Sequence, residues 1–442
     1  MKYHSKLVSL MLVMVMAFGG FAIQAQEEGV TLNLSRFFGV CDDEYGGFTD
    51  IEAASGECGI VTTLINNFNA TNDAGITVVV QGTEWGAYYD QLNATFAGGN
   101  APDIAVMHRT RLIDYTSRNL VIPVGEAFEM AGIDVTDFPQ PALDAVSVDG
   151  EVFGLPFDLH TLLWHVNADI MAEAGLVDED GTPIMPGSPE ELLEHAAMVQ
   201  EATGMDYIAM DATQFPLGVR AVFAMIWQQG GDLLNEDRTA ADINNEVGLN
   251  ALNTMNSLFE GGFANATYDY ASSQEAFING ETAILINGTW VVDFYTEQAE
   301  DESATLTNYV VSDFPTLFDQ PATWSDTHMW AVTNAVQDDP AKLEAAMTFL
   351  SFINDNNIHW ARTGHVAVRN SVLESEEYQS LPRRDEYVGT ADIAFAFPQV
   401  LRYQTMEDIL AEEFQAVWLT GKSPEDALAS AESRINDILV VR

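Results

Sequence analysis

Residues 276–292, Ala-Phe-Ile-Asn-Gly-Glu-Thr-Ala-Ile-Leu-Ile-Asn-Gly-Thr-Trp-Val-Val, set a tryptophan where a ligand could meet it. Ala276 and Phe277 read as a helix end and Asn279-Gly280 as a turn. The apolar run 283–286 reads as a buried strand, and Asn287-Gly288 as a second turn that presents Thr289 and Trp290 at the strand's C-terminal edge. Ligands of open α/β sheets bind beyond that edge. An indole there offers a flat apolar face and one N–H donor, which suits a sugar ring better than a metal or a phosphate. A core aromatic following a tight turn is the competing reading, and the local pattern leaves both open.

Other constellations that could do chemistry are absent or unspecific. No Gly-x-Ser-x-Gly elbow, His-Glu-x-x-His helix or phosphate-binding Gly-rich loop occurs. A glycosidase needs two carboxylates at a defined separation, but with 67 acidic residues any pair can be found. Asp42-Asp43-Glu44 and Asp178-Glu179-Asp180 lack the alternating ligands and fixed glycine of a calcium loop, so they read as solvated surface. Cys41 and Cys58 alone do not make a zinc site. No metal and no cofactor is expected.

The first 25 residues stand apart. Lys2 and Lys6 precede an almost wholly apolar stretch from Leu7 to Phe21, and Ala22-Ile23-Gln24-Ala25 is a cleavage region of the secretory kind. The apolar run is shorter than the ~20 residues of a membrane helix, and no cysteine follows it closely enough for a lipid anchor. The expectation is an exported protein of the periplasm or outer cell surface, not inserted in a membrane. Export makes a Cys41–Cys58 disulfide plausible.

The 442 residues carry 17 basic and 67 acidic side chains, a formal charge of −50. Repulsion on this scale excludes nucleic acid and anionic membrane as partners and disfavours an anionic ligand. Plentiful apolar residues, 47% of the chain, argue against disorder. So long a chain exceeds one ordinary core, and two lobes are expected.

The elements alternate. Residues 31–37 alternate as a strand, and Ile60, Leu64 and Phe68 recur at helical spacing. Ile76 to Val80 is β-branched, Trp85 to Phe96 is helical, Gly98-Gly99 stops it, and Ile104 to Met107 is a short apolar run. This strand, helix, strand, helix, strand order defines a parallel α/β lobe. Ser188-Pro189, Asp339-Pro340 and Ser423-Pro424 are helix starts with a capping side chain before Pro. Leu343, Ala346, Met347 and Leu350 form the inner face of the second of these helices, and Leu428, Ala431, Ile435, Ile438 and Leu439 that of the last. Without long repeats or linkers, the two lobes are expected to interleave along the chain.

Several segments, taken in order, resemble family 1 extracellular solute-binding proteins, the sugar-capturing components of ABC importers. Residues 277–290 resemble that family's "F-x-x-G-x-A-A-M-x-I-N-G-x-W". Residues 85–103, ending Phe-Ala-Gly-Gly-Asn-Ala-Pro-Asp, resemble its helix followed by small residues and Pro-Asp, and residues 112–124 its leucine-aspartate segment. Gly150-Glu151-Val152-Phe153-Gly154-Leu155-Pro156 is similar to "dG-x-x-Y-G-L-P", and Leu163 to Asn167 stands in place of "L-x-Y-N". Trp227-Gln228-Gln229-Gly230-Gly231 resembles its double-glycine loop. Thr363-Gly364-His365-Val366-Ala367-Val368-Arg369 resembles "tG-x-x-P-x-R", with Ala367 where the family has Pro.

The resemblance implies an α/β, two-lobed periplasmic-binding-protein clamp of the type II kind with interleaved lobes. The first lobe is expected over 26–153 and 308–355, the second over 154–307 and 356–442. Crossings are expected near 153–156, near 307–311 and after Asn354. A neutral saccharide in the cleft, ABC permease subunits as partners, a monomeric state and no bond-making chemistry follow from the same resemblance.

Ligand-binding residues are assigned on that frame. Trp290 becomes the first choice for stacking, with Asn287 beside it. Asp158 and His160 follow the first crossing, and a carboxylate and an imidazole there can bind vicinal hydroxyls. Trp85 shares a helix with Tyr88 and Tyr89, of which at least one must face the core, so one or two of the three can meet ligand. His108 and Arg111, with Arg109, follow the Pro-Asp strand at the cleft lip. Trp324 and His328, with Asp326 and Trp330, stand where the family has a Gly-rich cleft segment. Trp227 is expected to be half core, and Arg369 close to the cleft.

Overall fold

A computed structural model describes residues 29–301 and 303–440. The expected leader, residues 1–25, lies outside the described residues. Two sheets organise the chain. The first runs Thr77–Gly82, Thr31–Arg36, Ile104–His108, His328–Val332, Gly154–Pro156. Its first three strands are parallel, with Leu32 opposite Val78 and Leu34 opposite Ile104, and its last two run antiparallel to their neighbours. The second runs Ala394–Phe395, Thr323–Asp326, His160–Asn167, Thr282–Gly288, Asp206–Ala209, and Tyr309–Asp313 also pairs with His160–Asn167.

Each sheet has its own core, as two lobes require. On the first, helix Gly56–Thr71 buries Ile60, Leu64 and Phe68 at the spacing read from the sequence, against Leu34, Ile104 and Trp330. On the second, Ile284 and Ile286 pack with Val222, Phe223, Leu410 and Leu428. Ser188, Asp339 and Ser423 each accept the N–H three residues on, from Glu191, Lys342 and Asp426 at 3.1 Å. These caps fix where long helices begin in both lobes. Among the described residues, no helix is long and apolar enough to cross a membrane.

The chain passes between the sheets by short segments. Pro156 pairs with Met329 in the first sheet, and His160 pairs with Asp326 in the second. His328 then pairs with His108 back in the first. Residues 157–159 and Thr327 are therefore two of the passages. The third lies beside them: Leu159 and Val366 exchange backbone hydrogen bonds of 2.9 and 3.0 Å.

This corrects the crossing expected near 307–311. Tyr309–Asp313 stays in the second sheet, hydrogen-bonded from Tyr309 opposite Asn167 to Asp313 opposite Leu163, with Tyr309 and Val311 in an apolar cluster with Phe277 and Leu285. Residues 309–326 thus belong with the second core, and the return to the first begins at His328. Gly154–Pro156 pairs in the first sheet, not the second, and Trp360 packs in the first core although it lies beyond residue 355.

The disulfide Cys41–Cys58 is present, with its Cα atoms 6.1 Å apart. It ties the loop after the first strand to the first turns of helix Gly56–Thr71 and closes a 17-residue separation. In the chain-entropy picture such a loop contributes ~3 kcal/mol by restricting the unfolded chain. Replacing both residues (Cys41→Ser with Cys58→Ser) is expected to lower the urea midpoint, the unfolding free energy falling by ~3 kcal/mol and the slope steepening as the unfolded chain loses its cross-link, measured against wild type in oxidising buffer. Equal midpoints would refute the stabilising role.

Candidate functional site

The strand carrying Ala283 to Ile286 is buried as expected, but it does not end in a turn at Asn287. It continues through Gly288, with Asn287 opposite Leu163 and Gly288 opposite Leu162, and a short 3-10 turn, Thr289–Val291, follows. Gly288 is required for a different reason. A Cβ there would fall 2.0–2.3 Å from the Trp290 ring, so the indole rests on bare backbone. Its N–H donates to the Tyr270 hydroxyl at 2.8 Å.

Trp290 forms one wall of a cavity of about 740 Å³ between the two lobes. The first lobe supplies Phe37, Phe38, Tyr45 and Trp85; the second supplies Phe215, Tyr270, Trp290 and Phe294. Trp85 and Phe215 meet edge to face across the gap, centroids 5.0 Å apart. His108, His160 and His328 form the floor, with the His160 and His328 rings stacked at 4.0 Å. Both cysteines of the disulfide also line it. The charged lining residues are Glu44, Glu57, Glu84, Asp293 and Glu297 against the single guanidinium of Arg220.

Beneath the floor lies Asp158, wholly buried. Its Oδ2 accepts the Trp360 indole N–H at 2.7 Å and lies 2.8 Å from His328 Nδ1. Its Oδ1 lies 3.0 Å from His160 Nδ1 and accepts the His328 backbone N–H at 3.3 Å. Burial alone would push this carboxyl up, but His328, His365 and the imidazole hydrogen bonds hold it well below the usual carboxylate range. Burial in turn depresses His160 to about 3 and drives His365 and His108 well below an ordinary imidazole. Burial thus works against a positive charge on three of the rings, His108, His160 and His365, while the Asp158 carboxyl stays ionised.

Of the residues singled out in the sequence, Trp85, His108, His160, Trp290 and His328 line the cavity together. Asp158 supports them from below. The others are elsewhere. Arg111 is no cleft-lip residue: its Nη2 bonds Glu407 at 3.0 Å, both side chains buried, with the guanidinium over the rings of Tyr89 and Tyr403. A cation removed from water needs such a partner, and Glu407 supplies it from the opposite lobe. Trp227 is core, its indole 5.8 Å from the Phe395 ring, and Trp324 lies buried under Arg220 at 4.0 Å. Asn287 is buried in the sheet, where its Oδ1 accepts the Gly288 N–H. Arg369 pairs with Asp137 at 2.7 Å.

Sequence reading missed Arg220, Tyr270, Phe215, Glu57 and Asp293, which line the cavity, and His365 and Trp360 below it. His365 sat within the quoted 363–369 segment, so its residue type was a usable signal. The metal-free expectation also meets an unforeseen cluster, since ligand atoms of Asp158, His160, His328 and His365 lie within 4.8 Å of one another.

The chain belongs to the family described as bacterial extracellular solute-binding proteins, whose model matches residues 63–385. It is similar to a lactose-binding protein of Rhizobium radiobacter, 23% identical over 264 residues that span 58% of each chain. It is also similar to the sn-glycerol-3-phosphate-binding periplasmic protein UgpB of Salmonella typhimurium, 25% identical over 425 residues, 86% of this chain and 89% of that one. Among solved structures, the ABC substrate-binding protein Lmo0181 of Listeria monocytogenes, in complex with cycloalternan, superimposes with a TM-score of 0.76 at 20% identity, covering 94% of this chain and 100% of that one. The fold is therefore the two-lobed α/β clamp of periplasmic binding proteins.

Asp293 joins the two lobes at the cavity wall, where its Oδ2 accepts the Gly56 N–H at 3.0 Å. Burial pushes its carboxyl up to about 7, against the lowering effect of the N–H groups of Phe294 and Gly56. The unfolded chain binds this proton only near pH 4. Folding therefore takes up a proton between those values, and the stabilisation it brings is full below pH ~4 and lost as pH rises through ~7. Thermal midpoints of Asp293→Asn relative to wild type should rise steadily from pH 4 to pH 8. Parallel curves would refute the assignment.

Proposed function

We propose that this chain is the ligand-capturing component of an ABC importer, and that it holds a neutral saccharide in the 740 Å³ cavity before delivery to a membrane permease. The observation that carries the reading is the pair of aromatic walls, one from each lobe, over a polar imidazole floor. Flat apolar faces with a few polar groups are what a sugar ring needs. A name of one relative (lactose-binding) points the same way.

Glycerol phosphate, named for the UgpB relative, is the ligand class the cavity fits least. Phosphate recognition calls for clustered Arg or Lys, and this wall offers Arg220 against the carboxylates of Glu44, Glu84 and Glu297, with Glu57 and Asp293 pushed by burial towards their neutral acids. Those carboxylates and aromatic faces favour one second reading, an organic cation such as a polyamine.

Capture works by population shift. Ligand touching Trp85 and Phe38 on one side and Trp290 and Tyr270 on the other gains both sets of contacts only when the lobes are together. Binding then biases the open–closed equilibrium by its differential affinity for the closed state. No bond is made or broken, and the sugar leaves unchanged. The exported location, a monomeric state and docking on permease subunits are parts of the same proposal.

The test is a thermal-shift and calorimetric screen of the mature protein against neutral mono- and oligosaccharides, polyamines and glycerol phosphates. At a hundredfold excess over Kd a ligand adds ~2.7 kcal/mol of stability by mass action. Binding of a saccharide, weakened at least tenfold in Trp290→Ala and with the sugar recovered intact, is the expected result. Binding of polyamines alone would move the ligand class, and hydrolysis of the sugar would overturn the non-enzymatic reading.

A further inference from the structure

The buried cluster under the cavity has an electrostatic problem that hydrogen bonds do not solve. Thr363 Oγ1 donates its proton to the Trp360 carbonyl at 2.7 Å. It can therefore only accept from His365 Nδ1, also at 2.7 Å. The His365 proton is thereby fixed on Nδ1, leaving a lone pair on Nε2. That Nε2 is buried and has no hydrogen-bond partner. It faces Glu57 Oε1 at 3.5 Å and Asp158 Oδ2 at 3.8 Å. A buried lone pair with no donor, facing the ionised Asp158 carboxylate, leaves a place that a cation would fill.

We propose that Asp158, His160, His328 and His365 bind a divalent transition-metal ion of the zinc type at the junction of the lobes. The imidazole nitrogens nearest Asp158 are Nδ1 of His160, Nδ1 of His328 and Nε2 of His365, at 3.0, 2.8 and 3.8 Å from its oxygens. Four ligands at 2.0–2.2 Å from a tetrahedral ion stand about 3.4 Å apart, against a spread of up to 4.8 Å here, so the rings must close in by about an ångström to coordinate. Three imidazoles and one carboxylate select zinc-like ions over calcium and magnesium, which take oxygen ligands.

The surroundings have the parts of an outer shell. Thr363 fixes the His365 tautomer. Trp360 holds the carboxylate. His328 Nε2 lies 3.2 Å from His108 Nε2, and His108 Nδ1 lies 2.7 Å from the Tyr89 hydroxyl. This chain can pass the His328 proton to Nε2 when Nδ1 takes a metal, with His108 donating onward to Tyr89. No bond of the protein breaks; the imidazoles bind as neutral ligands.

The placement gives the ion a mechanical role. Asp158 and His160 flank the first passage between lobes, His328 ends the second, and His365 precedes Val366 in the third. One ion therefore ties all three passages, and its occupancy would change how readily the lobes part.

Metal-stripped mature protein titrated with Co²⁺ tests this, because exposed acids bind cobalt without the visible bands of a tetrahedral nitrogen-ligated site. The expected result is one equivalent bound with those bands, displaced by Zn²⁺. A tenfold or greater loss of Zn²⁺ affinity in His365→Gln is also expected, with circular dichroism confirming that the variant folds. The wild-type spectrum stands alone if that variant fails to fold. Cobalt bound with only the octahedral, weakly absorbing spectrum of surface carboxylates would overturn the proposal, as would Zn²⁺ affinity equal in wild type and folded His365→Gln. Neither readout involves a saccharide, so failure here leaves the capture function untouched, and the reverse.

Discussion

Asp158 is a charge with no access to water, and the junction of the lobes is arranged around satisfying it. Its two oxygens are met by the Trp360 indole, by the imidazoles of His160 and His328, and by the His328 main chain. A buried carboxylate left without such partners would cost several kcal/mol. The partners come from residues 158–160, 328 and 360, so meeting that requirement brings three separated segments to one point. The antiparallel pairs Asp326 with His160 and His328 with His108 then follow from where those segments must lie. From there the strands run outward into two different sheets.

The cavity inherits its floor from this arrangement. His160 and His328 stack because both reach down to the same carboxylate, and they line the cavity above it. The aromatic walls stand on neighbouring elements. Trp290 lies on the backbone of Gly288, while Gly364, at φ +113, passes so near Thr289 that a Cβ would fall 1.9 Å from its carbonyl oxygen. Binding wall and interlobe passage are thus in direct contact. A second buried pair, Arg111 with Glu407, links the lobes at another point, reinforced by Arg220 at 3.5 Å from the same carboxylate.

Much of this was legible where the signal is local. Helical spacing of Ile60, Leu64 and Phe68, the capping side chains Ser188, Asp339 and Ser423, and the apolar run ending near Trp290 all report on neighbours within a few residues. Sequence order of several short segments carried the family. What stayed hidden depends on contacts far along the chain. Arg111 is expected at the cleft lip because Glu407, the partner that buries it, lies 296 residues away. The crossing expected near 307–311 falls on the strand Tyr309–Asp313, whose alternation does not say which sheet it joins. Asn287-Gly288 has the composition of a turn, yet its glycine serves the packing of an indole two residues on. The grouping of residues 158, 160, 328 and 365 has no spacing from which it could be read.

The disulfide has a consequence for where the molecule becomes competent. Cys41 and Cys58 are part of the cavity lining as well as a brace for the segment beside it. A chain that folds in a reducing compartment leaves that wall loosely held, with two thiols where the bridge should be. Cavity wall and cross-link are therefore completed by the same oxidation.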